Sequence, residues 1–183
     1  LRDAGVKKGD RVAGYLPNMP EAVAAMLATA SLGAIWSSCS PDFGVQGVLD
    51  RFGQIEPKIL FVADGYRYAG REHDVLERVA EIAEGLPSLR RIVVVPHLRP
   101  RPDIADIPKA VLLEDWLRKH TPGEIRYAQM PFEHPAYILF SSGTTGAPKC
   151  IVHGAGGALL QGLKMFKLQF DVRPGDQIGR AHV

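Results

Sequence analysis

A chain of 183 residues has the size of one domain or of a piece of a larger one. With 46% hydrophobic and 23% charged residues it falls in the globular range, which excludes a disordered tail, a collagen-like fibre and a coiled coil. The formal net charge is +2 without any long run of like charges, so neither a nucleic-acid patch nor a membrane patch is expected. Cys39 and Cys150 lie far apart and outside any Cys-x-x-Cys, and the six histidines form no metal-type pair, which argues against zinc and against a disulfide framework. No apolar run approaches the ~20 residues that span a bilayer, and a cytoplasmic, reducing compartment is the expectation.

In chain order, the opening reads as a helix-like stretch that turns at Gly5 and Lys7-Lys8-Gly9-Asp10, with the true beginning expected upstream of Leu1. Residues 11–16 are a β-branched, apolar strand closed by Pro17-Asn18. Asn18 with Glu21 predicts an N-capping pair, and Val23, Met26, Leu27 and Ala30 predict the apolar stripe of a helix ending at Gly33. A short strand at 34–37 leads through Ser40-Pro41-Asp42 into a second helix carrying Val45, Val48, Leu49 and Phe52. A buried strand at 58–62, a helix at 74–84 carrying Val75, Leu76, Val79 and Ile82, and an apolar strand at 92–95 follow. Continuous apolar strands separated by amphipathic helices predict an α/β fold with a partly parallel open sheet covered on both faces.

Residues 1–96 therefore read as a first sheet lobe, and 97–135, rich in proline with one short helix at 112–118, as a connection. Residues 136–176 read as the start of a second lobe: a strand at 137–140, a polar glycine loop, a short strand at 151–153 and a helix at 156–168. The tail 177–183 shows no alternation and is expected to be non-native. Ile-Gly-Arg-Ala-His-Val is what ATC GGA AGA GCA CAC GTC, a common sequencing adapter, encodes. Genuine coding sequence at that point in the source DNA would overturn this.

The loop Phe140-Ser141-Ser142-Gly143-Thr144-Thr145-Gly146-Ala147-Pro148-Lys149 sets four hydroxyls, two glycines and a lysine directly after a strand. Glycines let the backbone approach an anion and aim N–H groups at it, hydroxyls donate further bonds, and Lys149 adds a positive charge, so the pattern suits a phosphate. A plain surface turn needs no such composition. The spacing is not the Walker A pattern, and Gly154-Ala155-Gly156-Gly157-Ala158-Leu159 lacks the third glycine of the dinucleotide fingerprint and reads as the close-packed start of a helix.

This loop resembles the phosphate-binding signature of the AMP-forming acyl-CoA synthetase superfamily, S-[ST]-G-[ST]-T-G-x-P-K. The resemblance extends from Gly5-Val6-Lys7-Lys8-Gly9-Asp10 through Leu16-Pro17-Asn18-Met19-Pro20-Glu21 to about Gly175-Asp176. Within it, the segment from Gly33 to Gly44 and Ile151-Val152-His153 look most like the acetoacetyl-CoA synthetase group. The resemblance implies part of the large N-terminal domain of an adenylate-forming ligase. In such ligases a carboxylate attacks the α-phosphate of ATP, with Mg2+ accompanying the nucleotide, and the thiol of coenzyme A then displaces AMP. By position, Ser141, Ser142, Gly143, Thr144, Thr145, Gly146 and Lys149 would hold the β- and γ-phosphates, and Arg67 and Arg71 would meet the nucleotide end of CoA. The family's adenine contacts, acidic magnesium ligand and catalytic lysine fall later than residue 183, so no catalytic residue or metal ligand is expected in this segment, which alone is expected to be inactive. Small-molecule substrates are the expected partners, with neither nucleic acid nor membrane among them. Another short-chain acyl-CoA synthetase, such as an acetyl- or propionyl-CoA synthetase, and a non-catalytic nucleotide-binding module remain the alternatives. Relatives usually carry a small residue where Cys150 stands. His153 reads as a structural histidine or a substrate-facing one, Trp36 as a core aromatic or the border of an acyl pocket, and both cysteines as small, buried or half-buried hydrophobes.

Overall fold

A computed structural model describes residues 1–141 and 146–177; the expected phosphate-loop residues Ser142, Gly143, Thr144 and Thr145, and all but the first residue of the expected non-native tail, lie outside the described residues. In chain order the elements are β1 (Arg11–Tyr15), α1 (Pro20–Ser31), β2 (Ile35–Cys39), α2 (Val45–Ile55), β3 (Ile59–Ala63), β4 (Gly65–Tyr68), β5 (Arg71–Asp74), α3 (Leu76–Gly85), β6 (Arg91–Val95), β7 (Ala110–Leu112), α4 (Leu113–Leu117), β8 (Pro135–Phe140), β9 (Cys150–Gly154) and α5 (Ala155–Lys164). One π-helical turn, Met165–Gln169, prolongs α5. Seven strands form one sheet in the order β7-β6-β3-β1-β2-β8-β9, parallel except for β9, and β4 pairs with β5 as a separate antiparallel hairpin.

The alternation of side chains along each strand divides the apolar residues between two layers. Ala13, Tyr15, Leu60, Val62, Ile92 and Val94 face a core completed by Val48 and Phe52 of α2 and by Val79 and Ile82 of α3. Val12, Ile59, Phe61, Val93 and Val95 face the opposite core, closed by Ala25 of α1, with Leu113 and Trp116 of α4 packed against it. Burial on both faces is why these strands read as unbroken apolar runs. Fully burying each Val, Leu, Ile or Phe among them contributes about 1.5–3 kcal/mol.

Four expectations need correction. The N-cap of α1 is Met19 without a side-chain hydrogen bond, because Pro20 occupies the first turn and removes one of the amides that an Asn18 cap would serve. That helix buries Ala25 and Thr29, while Val23 and Leu27 are exposed; an alanine-rich helix presents small side chains on several faces, and close approach to the sheet selected the smallest. The helix expected to start at 74 begins at Leu76, because residues 65–74, for which no strand was expected, form the β4–β5 hairpin. Ala69 and Gly70 at its tip both have positive φ, the geometry of a two-residue hairpin turn. Finally, β7 adds an edge strand from within the proline-rich stretch.

Among the described residues, β8 and β9 hydrogen-bond into the same sheet as β1, β2 and β3. Trp36 of β2 pairs in parallel with Tyr137 of β8, and the buried Ser37 hydroxyl donates to the Ile138 carbonyl at 2.7 Å.

Candidate phosphate-binding site

In a parallel sheet the segments that follow the strands gather at one edge, and ligands of open α/β folds bind outside the carboxyl ends, where the winding direction reverses. From β1 the chain passes to β2 on one side, and from there to β3 on the other side of β1. The segments after β1, β2, β3 and β8 thus share the carboxyl edge of the sheet. The glycine loop is the one after β8.

Its neck is closed by the β8–β9 pairing, which sets Phe140 opposite Cys150. One step further, the Ser141 amide donates to the Lys149 carbonyl at 3.1 Å, and the Lys149 amide to the Ser141 hydroxyl at 3.3 Å. Gly146 and the Lys149 side chain are exposed. Helix α2 reaches both limbs of the loop. The Arg51 guanidinium lies over the Phe43 ring at 4.4 Å and 6.0 Å from the Phe140 ring centroid, while the Gln54 amide donates to the Pro148 carbonyl at 2.8 Å and accepts from the Cys150 thiol at 3.5 Å. Neither Arg51 nor Gln54 was singled out from the sequence; their i, i+3 spacing on α2 is the only local sign that they share a face.

The segment after β2 is pinned by Tyr15, whose hydroxyl lies 2.8 and 2.6 Å from the Pro41 and Phe43 carbonyls. Burial pushes this phenol above its ordinary value, against the pull of Arg78. Between the carboxyl ends of β1 and β2 lies an open cavity of about 360 Å³, bordered by Asn18, Met26, Trp36, Ser38 and Ser40. Trp36 is both a core residue and a wall of this cavity: it is buried, tilts against Phe61 at 6.5 Å between ring centroids, and covers Gly14.

After β3 comes the hairpin that carries Arg67 and Arg71. Both are exposed, and Arg67 pairs with Glu72 at 2.8 Å, an exposed ion pair of small energetic weight. The stem is held by Asp64, a residue that no sequence motif marks. Its fully buried carboxylate accepts from the backbone amides of His97, Leu98 and Arg99 at 2.6, 2.9 and 2.9 Å. The Arg99 guanidinium then reaches Asp74, which pairs with Gly65 at the other side of the stem, at 2.5 Å.

Cys39 is buried, and desolvation pushes its thiol up to about 11. Cys150, expected to be buried or half-buried, is exposed, because β9 is an edge strand in the described structure with little packed on it. His153 is exposed opposite Tyr137. Of the glycines that open α5, Gly156 leaves no room for a side chain, which would collide with the Phe132 ring just before β8, while a side chain on Gly157 would meet nothing within 4 Å; the close approach expected of this stretch rests on one glycine, against the segment before the sheet.

A family model described as AMP-binding enzyme matches residues 1–179. The chain belongs to the AMP-binding enzyme family. It is 54% identical over 181 residues to the acetoacetyl-CoA synthetase of Mus musculus, covering 96% of this chain and 27% of that protein. The acetoacetyl-coenzyme A synthetase of Rhizobium meliloti is 52% identical over 97% of this chain and 27% of its own length. A malonamoyl-CoA synthetase of Penicillium aethiopicum is 46% identical over 97% of this chain and 25% of its own length. In three dimensions the chain matches the acetoacetyl-CoA synthetase of Streptomyces lividans with a TM-score of 0.89 and 49% identity, over 96% of this chain and 26% of that one. The chain thus spans about a quarter of the length of these relatives.

Proposed function

We propose that this chain is the phosphate-gripping segment of an ATP-dependent acid:CoA ligase that activates acetoacetate through an acyl-adenylate and forms acetoacetyl-CoA. The observation that carries this reading is the glycine loop closed at its neck by Ser141 and Lys149 on the carboxyl edge of a parallel sheet. The substrate reading is supported by the relatives' names: acetoacetate and malonamate are both short carboxylates with a carbonyl group β to the carboxylate, and they differ by a methyl against an amino group.

In this reading Ser141, Ser142, Gly143, Thr144, Thr145, Gly146 and Lys149 hold the β- and γ-phosphates. The carboxylate oxygen bonds to the α-phosphorus as the bond to the bridging oxygen of pyrophosphate breaks. Charge then builds on the departing pyrophosphate, and the loop's N–H groups and the Lys149 ammonium offset it, so the segment works by position and electrostatics. Magnesium accompanies ATP as its counter-ion. Among the described residues no three His, Cys, Asp or Glu side chains cluster in a way that suits a metal, and none is assigned to it. Arg67 and Arg71 on the hairpin tip meet the nucleotide end of CoA. Residues 97–135, which lend β7 to the sheet, serve as the connection, and 136–176, whose β8 and β9 extend that same sheet, start the second lobe. Its partners are the small molecules ATP, CoA and the acid, and the cytoplasm is its compartment; no helix among the described residues is long and apolar enough to cross a membrane.

The test is pyrophosphate exchange and thioester formation by the full-length protein with acetoacetate, malonamate, acetate and propionate. Acetoacetate should be the fastest, and Lys149→Ala should lower exchange by ~10²-fold, the usual effect of removing one preorganised donor. Faster turnover of acetate or propionate would replace acetoacetate with another short-chain acid, and unchanged exchange in Lys149→Ala would remove that residue from the grip.

A further inference from the structure

We infer that Gln54 of α2 is a positioning residue for the phosphate loop: its side-chain amide ties down the exit limb and thereby sets where Lys149 is presented to the nucleotide. This rests on the reading of residues 141–149 as the phosphate grip.

The chemistry of the contact fixes its direction. The Pro148 carbonyl only accepts and proline has no N–H, so the nitrogen of the Gln54 amide faces Pro148 at 2.8 Å while its oxygen faces the Cys150 thiol at 3.5 Å. Gln54 therefore bridges the residues on either side of Lys149. Pro148 is itself buried, which makes the exit limb a fixed point rather than a loose end. The strap is rigid because Val48, Phe52 and Ile55 bury the opposite face of α2 in the core. One turn before Gln54, Arg51 donates to the Gly47 carbonyl at 2.7 Å and spreads its guanidinium between Phe43 and Phe140, beside the entry limb.

The exit limb from Pro148 to Cys150 is already ordered by this bridge, so less conformational entropy is lost there when Lys149 meets phosphate. Gln54 is itself an exposed helix residue, with a second bond from its amide nitrogen to the Asp50 carbonyl at 2.6 Å. Replacing it leaves the core untouched, and the consequence falls on nucleotide affinity rather than on folding.

The experiment is pyrophosphate exchange by the full-length protein with acetoacetate, comparing Gln54→Ala, Gln54→Glu and Gln54→Lys with Lys149→Ala as reference. One hydrogen bond lost from the ground state corresponds to about a three- to tenfold change in an equilibrium constant. Gln54→Ala and Gln54→Glu, which cannot donate to Pro148, should raise KM for ATP by about that factor, with KM for acetoacetate and the melting temperature unchanged. Gln54→Lys keeps an N–H donor and should recover most of the loss. A role confined to helix stability predicts the opposite ranking, because alanine is the best helix former. A wild-type KM for ATP in Gln54→Ala, or loss in Gln54→Lys equal to that in Gln54→Ala, would overturn the inference. If Lys149→Ala is impaired and the Gln54 variants are not, only the positioning role fails; if Lys149→Ala is also unaffected, the phosphate-grip reading fails with it.

Discussion

Asp64 offers the sharpest test of how the hairpin is held. Its carboxylate is fully buried and takes three consecutive backbone amides, His97 and Leu98 on Oδ1 and Arg99 on Oδ2. Replacing it with alanine leaves three N–H groups without their acceptor. A hydrogen bond to a charged group is worth about 1.5–3 kcal/mol, but His97 and Leu98 are only half-buried and Arg99 is exposed, so water recovers some of the loss and Asp64→Ala should cost about 3–5 kcal/mol, the range for removing one partner of a buried charged contact. Asparagine divides the site. Its oxygen in the Oδ1 position retains His97 and Leu98, while its NH2 group confronts the Arg99 amide donor to donor. Asp64→Asn should therefore cost about 1–3 kcal/mol. Urea unfolding followed by circular dichroism measures both, and an unchanged slope with denaturant would show that only stability has moved. Hydrogen exchange should quicken at the amides of 97–99 before it quickens in β6. An alanine variant within 1 kcal/mol of the parent, or an asparagine variant as unstable as alanine, would refute this account of three separate contacts.

Three further outcomes are expected. At pH 8 a thiol reagent should modify Cys150 in the native chain and reach Cys39 only in denaturant, because burial has pushed the Cys39 thiol to about 11; fast labelling of both would contradict the packing of β2. Burial would raise the Asp10 carboxyl, but the Lys58 ammonium at 2.6 Å and the Lys7 amide at 2.7 Å outweigh it and hold the carboxyl below its usual 3.8. A depressed carboxyl stabilises the fold above 3.8 and loses that contribution as pH falls through the folded value, so Asp10→Asn should flatten the acid limb of stability against pH below 4, and an identical limb would argue against it. Residues 1–176 expressed alone should form no acetoacetyl-CoA and should be cut by trypsin first near Lys119 and Arg126, where 117–129 are exposed, while α5 and the turn after it keep Leu159, Leu160, Leu163 and Phe166 about half or more uncovered; turnover, or uniform resistance to trypsin, would contradict this.

By itself the sequence determined the local grammar of the protein. Strands buried on both faces need apolar residues at every position, so 11–16, 58–62 and 92–95 were legible as sheet, and the 3.6-residue period of Val45, Val48, Leu49 and Phe52 marked α2 with its buried face. The glycine loop was legible because its four hydroxyls, two glycines and lysine make a composition that ordinary turns lack and that would suit an anion. Tertiary structure decided what depends on distant partners. The hairpin at 65–74 is short and polar, with no apolar alternation of its own, and it is held through Asp64 by amides more than thirty residues away. The strand β7 exists because β6 offers it an edge, and the face that α1 buries was chosen by how closely the sheet approaches it. Which strands neighbour one another, and therefore that the glycine loop lies within reach of Arg51 and Gln54 on α2, follows from chain crossings that no local pattern encodes, because pairing energy is gained only between segments far apart in sequence.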